Sequence, residues 1–248
     1  MKEILTQKSK SLIFLTIIST LLFTACQDDD LYIVPSSRIT TVAVPVSGFK
    51  KLQVSNAFKV HVTFSETEES VLVESNENIH PVIDIRQQGD NLYIGLYKNT
   101  KISGNAVLNV YIKTKYLDRI QAMGASIVEL QNKLLNDDLE VNLEGACILK
   151  GQLEVDEIDA NVIGASILDL TGYSNHFNLR AEGASIMTGF GFETQNLNAF
   201  VYGASNITLT VSEKLNVTAS GASMVIYKGN GTIEYQKLSD TSKIVHLD

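Results

Sequence analysis

Two carboxylates, Glu140 and Asp159, stand 19 residues apart, each five places before a tripeptide that begins Gly-Ala. If the chain repeats with that spacing and stacks, the two side chains lie about 5 Å apart on neighbouring strands. That separation suits the paired acids of a retaining glycosidase, or a cation site. The plainer reading is a solvated polar ladder, with Arg119 in the same place one repeat earlier to neutralise one end. A second set is Arg180, Glu182, Phe200 and Tyr202. Aromatics on a solvent face beside Arg stack on sugars or seed a protein interface. The plainer reading there is contact with a loop folded over that face. The remaining chemistry is thin. His61, His80, His176 and His246 are scattered, without the spacing of a zinc site. Cys147 has no His and acid around it and reads as a buried structural thiol. There is no phosphate loop, no G-x-S-x-G and no H-E-x-x-H. No catalytic residue, metal or cofactor is assigned. The binding set is Arg180, Glu182, Phe200 and Tyr202, with Glu140 and Asp159 as an alternative acidic pair.

These residues are positioned by a repeat. Gly124-Ala125-Ser126, Gly145-Ala146-Cys147, Gly164-Ala165-Ser166, Gly183-Ala184-Ser185, Gly203-Ala204-Ser205 and Gly221-Ala222-Ser223 follow one another at intervals of 21, 19, 19, 20 and 18 residues. A period near twenty marks a solenoid. Six, four and two places before each glycine the residues are apolar, as in Leu139, Val141 and Leu143, with Asp118 the one exception; the places between are mostly polar. Such alternation is a strand with one buried face. Apolar residues three and four places after the glycine, such as Ile148 and Leu149, leave the inward phase open there. Each repeat reads as strand, Gly-Ala-Ser bend, strand and turn, with no helical period between. The expected fold is therefore all-β: a single-stranded parallel β-helix, right-handed, with coils of about 20 residues. One coil cannot bury enough to fold alone, so stability comes from stacking.

Outside the repeats the chain divides by composition. Lys2, Lys8 and Lys10 precede an apolar run from Leu12 to Ala25, too short to span a bilayer comfortably. The run ends in Leu22-Phe23-Thr24-Ala25-Cys26, which resembles a bacterial lipobox, so residues 1–25 read as a lipoprotein signal peptide and Cys26 as the lipidation site. Gln27-Asp28-Asp29-Asp30 resembles the export signal of surface lipoproteins, and residues 26–40 read as an acidic tether. Residues 41–248 form the β-helix domain: less regular over 41–117, regular over 118–231, and a C-terminal cap over 232–248. A net charge of −8 without a basic stripe argues against nucleic acid.

Phe49 to Val62, Gly89-Asp90-Asn91-Leu92-Tyr93-Ile94, Val110-Tyr111-Ile112 through Leu117, and the Gly-Ala-Ser repeats directly after them resemble the auto-transporter adhesin, head GIN domain family over roughly residues 46–231. The resemblance implies a β-helix-like envelope protein, often a lipoprotein, with an adhesive role and no catalytic residues to transfer. The leading expectation is a non-enzymatic outer-membrane lipoprotein, anchored to the membrane through its lipid and exposed at the surface. It would present a β-helix for adhesion to a glycan or protein ligand. The alternatives are a carbohydrate-active enzyme, a polysaccharide hydrolase or lyase, working through Glu140 and Asp159, and a purely structural envelope component. Oligomeric state is not legible.

Overall fold

The computed structural model describes residues 31–248; the segment read as a signal peptide, Cys26 and the acidic run after it lie outside the described residues. The chain winds as a β-solenoid of about seven turns of roughly 19 residues. Strands that precede the Gly-Ala-Ser bends pair with their counterparts one coil away, parallel and in register. Gly124 pairs with Gly145, Gly145 with Gly164, and Gly164 with Gly183. The strands after the bends do the same, as in Ile148 with Ile167 and Ile186 with Asn206. The expectation of a parallel solenoid from the glycine spacing is met.

The alternating pattern sorts residues as the pleat requires. Ile120, Val141, Ala160, Leu179, Ala199 and Val217, four places before the glycine, are all buried. Beyond the bend the ambiguity resolves: the column four places on, from Val128 to Val225, is buried, while Ile127, Ile148 and Ile167 are half-buried and Ile186 is exposed. The even positions therefore stay inward through the bend. Asp118, the exception in its column, is half-buried, and Leu117 beside it enters the core instead. A T-shaped contact of Phe177 and Phe192, centroids 5.5 Å apart, fills the wider part of two coils.

The bend itself needs a residue without a side chain. Gly183 has φ +85, a left-handed conformation, and a Cβ built on it would sit 2.6 Å from the Gly164 carbonyl oxygen. That oxygen accepts the Ala184 N–H at 2.7 Å, and the same bond recurs at Ala146, Ala165, Ala204 and Ala222. The buried serine two places on donates to the carbonyl three residues back, as Ser185 Oγ does to Glu182 at 2.8 Å. It also accepts from the next coil, as Ser205 Oγ does from the Ser185 N–H. A small residue with both a donor and an acceptor satisfies a polar corner that faces the core. Cys147 holds the same place, its Sγ donating to the Glu144 carbonyl.

The two ends depart from the repeat. Lys51–Val54 and Lys59–Phe64 stack directly beneath Arg119–Gly124 and Ile127–Leu130. Asn56, at φ +60, bends the chain where glycine would. Asn91–Leu96 and Leu108–Thr114 lie below in turn. Antiparallel strands Ile83–Gln88, Ser70–Asn76 and Ile39–Val44 then cover that end. The less regular half thus contains both irregular coils and a covering sheet. Within the segment read as a tether, Leu31–Ile33 pairs with Thr100–Ile102, and Asn76 and Asn78 donate to the carbonyls of Ser36 and Val34. Residues 232–248, read as a cap, wind as one more coil: Thr232–Leu238 and Lys243–His246 continue the two parallel rows. Asp240, at φ +59, takes the glycine's place and its carboxylate accepts the Gly221 N–H.

The close approach of successive bends is open to a direct test. A Cβ at Gly124 would meet only Asn56 N at 3.9 Å, so Gly124→Ala adds left-handed strain alone, about 1–2 kcal/mol. Gly183→Ala adds the collision as well. Chemical denaturation should show Gly183→Ala losing at least about twice the stability that Gly124→Ala loses. Equal losses would mean that the spacing of the bends is not limiting.

Candidate functional site

Odd positions on the strands before the bends point outward, so columns of the repeat become ladders on a flat face. Five places before the glycine run Arg119, Glu140, Asp159, Asn178, Asn198 and Asn216, each paired with the next. Two places along the same strands, and so on the same face, run Asn142, Asn161, Arg180 and Phe200. Because i and i+2 share a face, the two sets singled out in the sequence meet. Glu140, Asp159, Arg180 and Phe200 line one open groove of about 360 Å³, floored by Asn142, Asn161, Asn178 and Asn198.

The acidic pair is in register as expected. Its groups are engaged by the protein: Arg119 Nε and Nη2 reach Glu140 Oε2 at 2.7 and 2.5 Å, and Asn142 Nδ2 donates to Oε1 at 2.7 Å. Asn178 Nδ2 donates to Asp159 Oδ1 and to Glu157 Oε1, both at 2.9 Å. The arrangement is a bonded ladder, with Arg119 closing one end. A nucleophile and a proton donor need free oxygens facing a common space; Glu140 has three donors on its two oxygens.

Arg180, Glu182 and Tyr202 form a compact group beside Phe200. Arg180 pairs with Glu182 on its own strand, and its guanidinium lies 5.7 Å from the Tyr202 ring centroid, within cation–π range. Phe200, Cα-paired with Arg180, keeps 39% of its surface exposed. Phe200 is thus an exposed aromatic on a strand, while Glu182 and Tyr202 beside it are half-buried.

A second groove of about 370 Å³ continues along the same face. It shares Asn178 and Asn198 with the first and adds His176, Asn196, Lys214 and Tyr235. Glu234 bonds to Lys214 at 2.8 Å and holds its ammonium above the usual lysine range. Asn178 and Asn198 continue the column of Glu140 and Asp159, five places before each glycine. Asn142 and Asn161 fall three places before it, and Asn196 and Lys214, with His176, seven places before it; aligning those two further columns would have shown them.

His61 stacks on Tyr111 and bonds to Glu129; His246 stacks on Tyr227; neither approaches the groove. Among the described residues no three of His, Cys, Asp and Glu are grouped to hold a metal ion, and no helix is long and apolar enough to cross a membrane.

The chain is a parallel β-solenoid with a polar, amide-rich face and one exposed aromatic, its side chains placed on strands rather than loops. The chain belongs to the family described as "Putative auto-transporter adhesin, head GIN domain", whose model matches residues 48–231. Three crystal structures share the fold. A putative adhesin from Bacteroides fragilis is 20% identical with a TM-score of 0.82, covering 87% of this chain and 100% of that one. A putative adhesin from Parabacteroides merdae is 18% identical with a TM-score of 0.73, covering 88% and 99%. A putative lipid binding protein from Parabacteroides distasonis is 13% identical with a TM-score of 0.71, covering 88% and 100%. No curated protein matches the chain in sequence.

Cys147 is the one nucleophilic thiol among the described residues, and burial pushes its pKa up. A raised thiol pKa keeps it protonated and unreactive at neutral pH. Alkylation by iodoacetamide at pH 8, mapped by mass spectrometry, should leave Cys147 unmodified in the native protein and label it fully in guanidinium. Rapid native labelling would contradict the closed corner.

Proposed function

We propose that this is a non-enzymatic, lipid-anchored envelope protein that displays its solenoid face for adhesion or ligand binding. Family membership supports a cell-surface or envelope setting. Acylation at Cys26 would supply the anchor, and the acidic run behind it a route to the surface. The observation that carries the binding face is Phe200, open on a rigid strand above a floor of side-chain amides. An apolar ring beside fixed donors and acceptors suits a ligand with both apolar and hydroxyl or amide surfaces. The engaged state of Glu140 weighs against the hydrolase or lyase reading. The polar floor weighs against carrying over the lipid ligand named for the Parabacteroides distasonis protein.

Two measurements test the reading. Glycan and envelope-protein arrays probed with the full chain should show binding that Phe200→Ala/Tyr202→Ala weakens by about tenfold or more, the size of a lost aromatic anchor. Binding unchanged in that variant would move the site elsewhere. Cys26→Ala should shift the protein from the membrane fraction to the soluble fraction. Retention of the variant in the membrane would remove the lipid anchor from the reading.

A further inference from the structure

The two grooves form one trough. From Glu140 the outward ladder runs through Asp159, Asn178, Asn198 and Asn216 to Tyr235, each residue Cα-paired with the next. Five coil steps make it about 24 Å long. Its direction is the solenoid axis, across the strands. We infer that this trough binds a neutral, linear polysaccharide of β-1,4-linked pyranoses, laid along the axis with about one sugar per coil. The inference rests on the proposed display function and names its ligand class.

Three observations carry it. First is pitch: the ladder offers the same kind of polar group once per coil, at about 4.8 Å. An extended ribbon of equatorially linked pyranoses advances by nearly the same step, so each coil meets one ring, with alternate rings turned over. A protein strand laid across the coils advances by about 3.3 Å per residue and would fall out of phase within two coils.

Second is unsatisfied bonding capacity. Among the described residues the side-chain amides of Asn198 and Asn216 make no hydrogen bond within the protein, and both line the trough. Each amide offers two donors and an acceptor, which match vicinal hydroxyls. Phe200, at the middle of the trough, supplies the flat apolar contact that the C–H face of a pyranose ring takes.

Third is charge. The cations along the trough already have anionic partners at the surface, Arg180 in Glu182 and Lys214 in Glu234. The carboxylates Glu157 and Asp159 meet only the amide of Asn178. A polyanion would therefore find acids without free cations, while a neutral chain loses nothing.

The experiment is calorimetric titration of the full chain with neutral β-1,4-linked gluco-, manno- and N-acetylglucosamine oligomers of one to eight sugars, alongside oligogalacturonate. In at least one neutral series affinity should climb with each added sugar and level off near five. Asn198→Ala and Asn216→Ala should each weaken the longest oligomer by about 3- to 10-fold. Their Tm should not move, since neither side chain has a partner to lose. Affinity that saturates at one or two sugars, insensitivity to both asparagine variants, or preference for oligogalacturonate would overturn the inference. With array binding still lost in Phe200→Ala/Tyr202→Ala, the display function would survive that failure. No binding to any oligomer also overturns the inference, and the array result then decides the function separately.

Discussion

The structure depends on one short-range contact: the backbone of each bend resting on the carbonyl of the bend below, with no atom between. The Ala184 N–H reaches the Gly164 oxygen at 2.7 Å, and the place where a Cβ would go is 2.6 Å from that same oxygen. The bond and the missing side chain are two sides of one constraint. Because it recurs from the Gly145 bend to the Gly221 bend, it opposes slippage of these coils past one another, and the columns on their strands become ladders. The buried serines from Ser166 to Ser223 add to this, because each hydroxyl bonds both within its own bend and to the preceding coil. Alanine or valine in that column would leave a carbonyl facing the core without a donor.

This register gives the outer face its character. Side chains there are not arranged by loops that move on binding but by strands fixed on both sides. Glu140 is held by Asn142 and Asp159 by Asn178 before any ligand arrives. A face built in this way incurs little ordering cost on binding, which favours extended, repetitive partners over small ones.

The parallel solenoid was legible because six glycines at intervals of 18 to 21 residues fit hardly any architecture but stacked coils. The ends were not. Asn56-Ala57-Phe58 and Asp240-Thr241-Ser242 occupy the bend, yet each shares one residue with Gly-Ala-Ser. Asn and Asp tolerate the left-handed conformation, so the physics is kept while the motif is lost. The polar stretch around residues 34–38 looks like a tether by composition; the bonds it makes to Asn76 and Asn78 depend on residues about 40 places away, beyond any local reading. The site was half legible. Columns could be counted from the glycine, and they gave Glu140 beside Asp159 and Arg180 beside Phe200. That both sets share one groove, with asparagines between them, follows only once two columns are laid side by side on the same pleated face.

The placement of the Asn56 bend beneath Gly124 bears on the order in which the chain assembles. Most neighbouring coils are joined by about 19 residues, but these two are separated by 68 in sequence, with the covering sheet spun out between them. Closing the longer excursion costs only about 1 kcal/mol more in chain entropy. Its delay is kinetic: contacts of high sequence separation form late, whereas adjacent coils can add one by one. Contact separation therefore favours the regular coils as the first part to form, with the amino-terminal sheet docking later. For a chain synthesised amino-terminus first, the part delivered earliest is the part that must wait.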